Sequence, residues 1–587
     1  MKQFLKFTLA TIVGIIITSV IGMLLMFGII GAIAGSAEKV VKVQPNSVYE
    51  LELNGQLIER SKDDPFTEIF SNAFGQDAAK IIGLDDVLAN IRKAKVDENI
   101  KGIYLKGGML TGGYASVKEI RDALADFRQS GKFIVAYADT YSQKNYYLSS
   151  IADKVYLNTQ GMLEFQGIAA NTTFFKNTLD KLGVEMQIVK VGTYKSAVEP
   201  YIDTKMSEAN KEQVTVFINS IWKNVLAEIS QSRNIPVDSL NRYADAMMTF
   251  QPTEMALKNK LVDSLVYSDG MNEVFKKLTK QEDFKDIHFI SHSDMNKVPH
   301  SEKMQKQKVA VIYGVGGIDM GQTDEITSED LVETINEVKD EKSVKAVVFR
   351  VNSPGGSAYG SEQIWHAITE LKKVKPVIVS MGDYAASGGY YISCAADSII
   401  AQPNTLTGSI GIFGTIPNIE GLNKKIGLTH DGVKTNKMSD AISLNRAFTP
   451  DERNIMQSYI NRGYELFTKR CADGRGMNID SLKAIAEGRV WTGEDAMRIG
   501  LVDKLGGLGD AIKIAAGKAK LENYMVKEFP AKEDIMTRLF KDMNSTVETK
   551  ILKSRLGDEN YRLLKQIEQA KYFNGIQALM PVNITLN

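Results

Sequence analysis

Val344-Lys-Ala-Val-Val-Phe-Arg350-Val-Asn-Ser-Pro-Gly-Gly-Ser357 decides how this chain of 587 residues is read. An apolar run of strand length stops at Pro-Gly-Gly, the punctuation that ends a strand in a turn. A run of the same shape, Ile100-Lys-Gly-Ile-Tyr-Leu-Lys106, stands 244 residues earlier. The offset persists along the chain: Tyr390-Tyr391 falls over Tyr146-Tyr147, and Ala396-Asp397 over Ala152-Asp153, again at 244. Further on, Leu501-Val-Asp503 falls over Leu261-Val-Asp263 at 240, so a small net deletion intervenes. Chance similarity between two stretches of one fold class does not hold a register in this way. The chain is therefore read as two copies of one unit, each of roughly 240 residues, at 41–280 and 307–530.

Within each copy, strand-like and helix-like runs alternate. In the first, Ser47-Val-Tyr-Glu-Leu-Glu-Leu-Asn54 alternates as a strand. A helical pattern follows at 84–95, a strand at 100–105, a helix at 116–130 and a strand at 133–138. This β-then-α rhythm is that of an α/β fold. In the second copy Thr449-Pro-Asp-Glu452 predicts a helix start, with Thr as N-cap, Pro at the first helical position and Glu in the reciprocal capping place. The polar stretch 281–306 reads as a linker. Residues 531–587 read as a charged helical tail whose apolar end, Ala578-Leu-Met-Pro-Val-Asn-Ile-Thr-Leu586, serves packing or oligomer contact.

The composition is that of a folded protein, 44% hydrophobic and 24% charged, with 71 basic and 71 acidic side chains. No net field recruits nucleic acid, and none is expected as a partner. The first 40 residues set the compartment. Residues 7–34 carry no charge; Lys2 and Lys6 precede them, and the first acid is Glu38. As a helix this run is about 42 Å long, more than a hydrocarbon core of about 30 Å requires. It predicts a transmembrane anchor with everything after residue 40 on the far side of the membrane. A cleaved signal peptide ending near Ala34 is the alternative, but its apolar region is ordinarily shorter. Two cysteines occur, and Cys394 is expected in the core. The five histidines show neither HExxH nor a Cys/His cluster, so no metal and no cofactor are expected.

The chemistry emerges where the copies differ. Thr405-Leu-Thr-Gly-Ser-Ile-Gly-Ile-Phe-Gly414 sets Ser409 among three glycines after a strand, whereas the position 244 earlier is Phe165. Conversely, Val191-Gly-Thr-Tyr-Lys-Ser-Ala197 in the first copy carries Lys195, and 244 later stands Ser439. Each copy holds what the other lacks. This is the pattern of a Ser/Lys dyad split across an interface, with Ser409 as nucleophile and Lys195 as base. A serine needs such a base, and no histidine lies in these motifs. Lysine must then be neutral near pH 7, which costs about 4 kcal/mol and requires burial; a helix beginning at Lys195 would push the same way. The paired glycines Gly355 and Gly356 could turn backbone amides toward an oxyanion. Two rivals stand beside this reading. Ser387, in Gly382-Asp-Tyr-Ala-Ala-Ser-Gly-Gly389, could be the nucleophile, and Lys437 a local base.

Five motifs together resemble one family: Asn352-Ser-Pro-Gly-Gly356, Gly382-Asp-Tyr-Ala-Ala-Ser-Gly-Gly-Tyr390, Thr405-Leu-Thr-Gly-Ser-Ile-Gly411, Tyr194-Lys-Ser-Ala-Val-Glu-Pro200 and Gly488-Arg-Val-Trp-Thr-Gly493. They are similar to those of the long-form bacterial signal peptide peptidase A (protease IV) family, over about residues 48–530 and with the anchor included. The resemblance implies a tandem duplication of a Clp-protease/crotonase-like α/β domain. It implies a Ser/Lys endopeptidase acting on spent signal peptides and other apolar peptides, with Ser409 as nucleophile, Lys195 as base and the Gly355/Gly356 turn at the oxyanion. It further implies a homotetramer on the outer face of the bacterial inner membrane. A crotonase-like acyl-CoA enzyme and a non-catalytic membrane scaffold are the alternatives; the first needs neither anchor nor Lys195.

Overall fold

The computed structural model describes residues 6–8, 10–22, 40–61, 81–299, 305–321, 325–532, 575–580 and 585–586. The first repeat is built on a parallel sheet in the order Ser264–Leu265, Lys154–Leu163, Phe133–Tyr141, Ile100–Lys106, Ser47–Glu52, His288–Ile290. Its central strands are near-continuous apolar runs because helices cover both faces, which is how a parallel sheet reads in sequence. The second repeat has the corresponding parallel core: Leu406–Gly408, Val377–Ala386, Val344–Ser353, Lys308–Val315, Met525–Phe529, with Ser398–Ala401 and Lys504–Leu505 branching from it. Val490–Thr492 closes its edge in the antiparallel sense.

The residues that carry the sequence offset also carry the same hydrogen bonds twice. The Tyr146 hydroxyl donates to the Leu261 carbonyl at 2.8 Å, and that of Tyr390 to Leu501 at 2.9 Å. The Asp263 carboxylate accepts from the Val155 amide and from Arg233; the Asp503 carboxylate accepts from Ile399 and Arg475. Buried polar groups must be paired, so these positions tolerate little change even after the copies diverge.

One boundary moves. The stretch 281–306, read as a linker, contributes His288–Ile290 as the last strand of the first sheet, paired with Ser47–Tyr49. His292 follows it and bonds through Nδ1 to the Tyr49 hydroxyl at 2.7 Å. An edge strand has one solvated side, so its composition looks like that of a linker.

The helix announced by Thr449 runs over Pro450–Arg475, with the capping box formed, and ends at Gly476 in the left-handed conformation. Cys394 and Cys471 are both buried and free. Residues 6–8 and 10–22 are helical and exposed. Among the described residues no helix is long and apolar enough to cross a membrane. The rest of the predicted span, residues 9 and 23–34, lies outside the described residues, as does the tail between 533 and 574.

The repeats are joined by strand pairing. Glu185–Val191 of the first lies antiparallel to Ile412–Asn418 of the second, from Glu185↔Asn418 to Val191↔Ile412. Arg350, fully buried, adds an ionic joint, reaching Glu59 at 2.8 Å and Glu119 at 2.6 Å from the other repeat. Burial pushes the Glu119 carboxyl up to about 7, against the opposing pull of Arg350.

Candidate active site

The inter-repeat strand pair positions the site. Because Val191 sits opposite Ile412, the chain just beyond the first strand meets the chain just before the second. Four residues past Val191 is Lys195; three before Ile412 is Ser409. Both are fully buried. Lys195 Nζ lies 3.2 Å from Ser409 Oγ, 3.0 Å from the Ser409 carbonyl oxygen and 2.8 Å from Ser387 Oγ. The structure thus brings together Ser409, Lys195 and the rival Ser387. It leaves Lys437 apart, exposed and ion-paired with Asp451.

Burial alone holds the Lys195 ammonium well below the ordinary lysine range. No helix begins at Lys195 to add to this: residues 192–198 are turn and irregular backbone, and the next helix is the single turn Glu199–Ile202. A neutral amine has two N–H bonds and one lone pair. At Lys195 the two hydrogens can go to Ser387 Oγ and the Ser409 carbonyl. The lone pair is then left for the Ser409 hydroxyl.

What seals the lysine is the segment Glu487–Arg489, a part of the site with no assigned role in the sequence reading. The Tyr194 amide donates to the Glu487 carbonyl at 2.9 Å, and the Ser409 amide to the Arg489 carbonyl at 2.7 Å. A Cβ on Gly488 would fall 2.8 Å from the Cβ of Lys195, so only glycine permits this approach. The signal was the motif Gly488-Arg-Val-Trp-Thr-Gly493, visible but mute without its neighbour.

Gly355 and Gly356 lie in a short strand, Gly355–Ser357, and are not open. The C-terminal strand Gly575–Leu579 inserts between it and Ile412–Asn418, pairing Gly355 with Leu579 and Phe413 with Gln577. The Gly355 amide donates to Ser353 Oγ at 3.2 Å. A Cβ on Gly355 would lie 2.0 Å from the Ala578 carbonyl oxygen and 2.8 Å from the amide nitrogen of Gly388. Gly388, next to Ser387 in the motif Gly382-Asp-Tyr-Ala-Ala-Ser-Gly-Gly389, was given no role of its own in the sequence reading. Among the described residues no group of His, Cys, Asp or Glu could hold a metal ion.

The model of peptidase family S49 matches residues 126–282 and 369–522, one match in each repeat. The chain belongs to peptidase family S49. Within it, the chain is 37% identical to a Protease 4 of Salmonella typhi, covering 85% of this chain and 82% of that one. A Protease 4 of Haemophilus influenzae is 33% identical over 93% and 90%, respectively. The chloroplastic serine protease SPPA of Arabidopsis thaliana is 30% identical over 82% and 70%. Among solved structures, ClpP1 of Listeria monocytogenes aligns with 34% of this chain and 94% of its own at a TM-score of 0.24 and 15% identity. These relatives make the protein a family S49 peptidase of the signal peptide peptidase A type.

Proposed function

We propose that the protein is a membrane-anchored serine endopeptidase in which Ser409 is the nucleophile and Lys195 the general base. The observation that carries this is the 3.2 Å contact between Lys195 Nζ and Ser409 Oγ, made by a fully buried lysine that lacks an acidic partner among its hydrogen bonds. Lys195 takes the proton of Ser409 as Oγ attacks a peptide carbonyl. Charge developing on the carbonyl oxygen is met by the backbone amides of Gly356 and Gly388, the Gly355 amide being taken up by Ser353 Oγ. The lysine then protonates the leaving amine, and, neutral again, activates the water that hydrolyses the acyl-enzyme.

Extended peptides are the natural ligands of such a site, because a strand held by neighbouring backbones is recognised largely irrespective of sequence. The likeness to a relative whose name includes the words signal peptide peptidase supports spent signal peptides and other apolar peptides as substrates. Residues 7–34 would tether the repeats to the outer face of a bacterial inner membrane as a homotetramer; fractionation of the full chain against a form lacking them, with mass measurement in detergent, tests both points.

The central test is hydrolysis of an apolar fluorogenic peptide by the wild type and by Lys195→Ala and Ser409→Ala, with folding checked by circular dichroism. Each folded variant should lose at least about 10³-fold in kcat, roughly 4 kcal/mol of barrier. Unchanged turnover in either would falsify the dyad.

A further inference from the structure

The helix Glu208–Arg233 of the first repeat lays one face along the second. Ser220 Oγ lies 3.2 Å from Thr492 Oγ1, and the Asn224 side chain donates to Asn404 Oδ1 at 3.2 Å. Gln213, on the same face two turns before Ser220, is buried. Its Oε1 accepts from the Val490 amide at 3.1 Å. A backbone amide can only donate, so this contact fixes which end of the side chain is oxygen. Its Nε2 then meets the Tyr194 carbonyl at 3.1 Å, Ser196 Oγ at 3.0 Å and Asn210 Oδ1 at 3.1 Å. Both ends lead to the dyad. Tyr194 and Ser196 are the chain neighbours of Lys195, and Val490 pairs with Gly408, the residue before Ser409. Asn210 anchors the network from behind by donating to Glu199 Oε2 at 2.8 Å, a carboxylate that also accepts from the Ser207 amide and hydroxyl. The other charged groups around this loop bond away from Lys195: Glu487 accepts from Thr193, and Arg489 pairs with Glu212 and the Tyr194 hydroxyl.

The duplication supplies a control. The counterpart helix, Pro450–Arg475, has the same 26 residues and starts at a hydroxyl N-cap, Thr449, as the first starts at Ser207. Aligned on these caps, Asn210 falls on Glu452 and Gln213 on Ile455, which is exposed. The copy without the lysine is also without the glutamine.

We infer that Gln213 is a positioning residue for the proposed dyad, setting the reach of Lys195 Nζ to Ser409 Oγ by holding the backbone on both sides. This rests on the peptidase reading and deepens it. Without the glutamine amide, the Tyr194 carbonyl, Ser196 Oγ and the Val490 N–H lose a partner in a buried place. Such groups find water or shift until they are paired. A shift separates amine from hydroxyl, and water at the loop wets the lysine that burial keeps neutral. None of the hydrogen bonds of Gln213 goes to the strand edges Gly355–Ser357 or Ile412–Asn418, so its loss falls on kcat rather than on KM.

The experiment compares the full chain with Gln213→Leu, Gln213→Glu, Ser220→Ala and Lys195→Ala on an apolar fluorogenic peptide over a range of pH, with folding checked by circular dichroism. Gln213→Leu keeps the bulk and loses every hydrogen bond. Its kcat should fall by about 10²-fold with KM within about three-fold, and the acid limb of kcat should move to higher pH as Lys195 is wetted. Gln213→Glu keeps an acceptor for Val490 and loses the donors. Its carboxylate favours the ammonium form of the nearby lysine, so its acid limb should move the same way. Ser220→Ala loosens the same helix from the second repeat without touching the lysine loop, and should leave kcat within about two-fold and the acid limb in place. A folded Gln213→Leu with wild-type kcat, or with its acid limb unmoved, overturns the inference, as does an equal loss in Ser220→Ala. Lys195→Ala separates this from a failure of the dyad. Turnover retained there removes the base and the inference with it, whereas turnover lost there beside an unaffected Gln213→Leu removes the inference alone. If Gln213→Leu does not fold, the acid limb of Gln213→Glu decides.

Discussion

The two repeats share a scaffold and differ at one spot, and the difference shows how a buried lysine is accommodated. In the second repeat Ser387, Ser409 and Gly411 surround Lys195. At the matching place in the first repeat stand Gln143, Phe165 and Gly167. There the Gln143 side chain closes the cavity on itself: its oxygen accepts from the amides of Gln166 and Gly167, both at 3.0 Å. Its nitrogen donates to the Tyr114 hydroxyl and the Gly167 carbonyl, both again at 3.0 Å. Phe165 fills the remaining space against Tyr146 and Trp222. In that copy the side chains at this place are satisfied among themselves. The other is left with serines whose partner must come from outside, and the strand Glu185–Val191 of the first copy delivers it.

This contrast can be broken most sharply by exchanging its parts. Ser409→Ala should remove at least about 10³-fold of kcat, whereas Phe165→Ala should leave kcat within about three-fold. Phe165→Ala should instead lower stability by about 3–5 kcal/mol in a denaturant melt, because it hollows a packed core. Equal kinetic losses from the two would mean that both copies act.

Ser387→Ala removes one acceptor from Lys195 while keeping its burial. We expect kcat to fall by roughly 10- to 100-fold, about 1.4–2.7 kcal/mol, with KM little changed. Loss of turnover as complete as with Ser409→Ala would instead make Ser387 the nucleophile.

Lys195→Met should cost activity yet stabilise the fold by about 1–3 kcal/mol near pH 7, since it replaces a buried amine with an apolar chain. The sign follows from linkage. The unfolded chain holds the lysine proton more tightly than the folded one, so the native lysine destabilises the fold at every pH below the ordinary lysine range. The advantage of methionine should shrink as pH rises from the depressed value of the folded lysine toward the ordinary lysine range. The same depression places the acid limb of kcat/KM well below the ordinary range, with activity rising as Lys195 loses its proton. A rate that rises only near pH 10, the value of a free lysine, would exclude Lys195 as base.

The smallest effect tests the shared part. Tyr146→Phe and Tyr390→Phe should each cost about 1–2 kcal/mol, because each strands one buried leucine carbonyl. Unequal costs would show that the scaffold has diverged along with the site.

Much of this was legible in the chain because a duplication supplies its own control. Phe165 against Ser409, and Ser439 against Lys195, mark the split directly, and the apolar parallel strands show in their composition. What stayed hidden depends on three-dimensional neighbours. His288–Ile290 carries the polar composition of an edge strand. Gly488 matters only because Lys195 runs beneath it. Lys195 lies on turns and not at a helix start, so burial alone depresses its basicity. Gly575–Leu579 is a strand only by virtue of the two strands that flank it, and no local periodicity announces that.

The strand pair that joins the repeats also sets a clock. Lys195 and Ser409 are 214 positions apart, so the ribosome makes the proposed base well before the proposed nucleophile. At synthesis rates of about 5–20 residues per second, the interval is about 10–40 s. Throughout it the first repeat can fold around its own Gln143 and Phe165 with no competent serine within reach. If the proposed dyad is the reacting pair, a half-made chain carries no complete site, and proteolysis can begin only once the second half has docked.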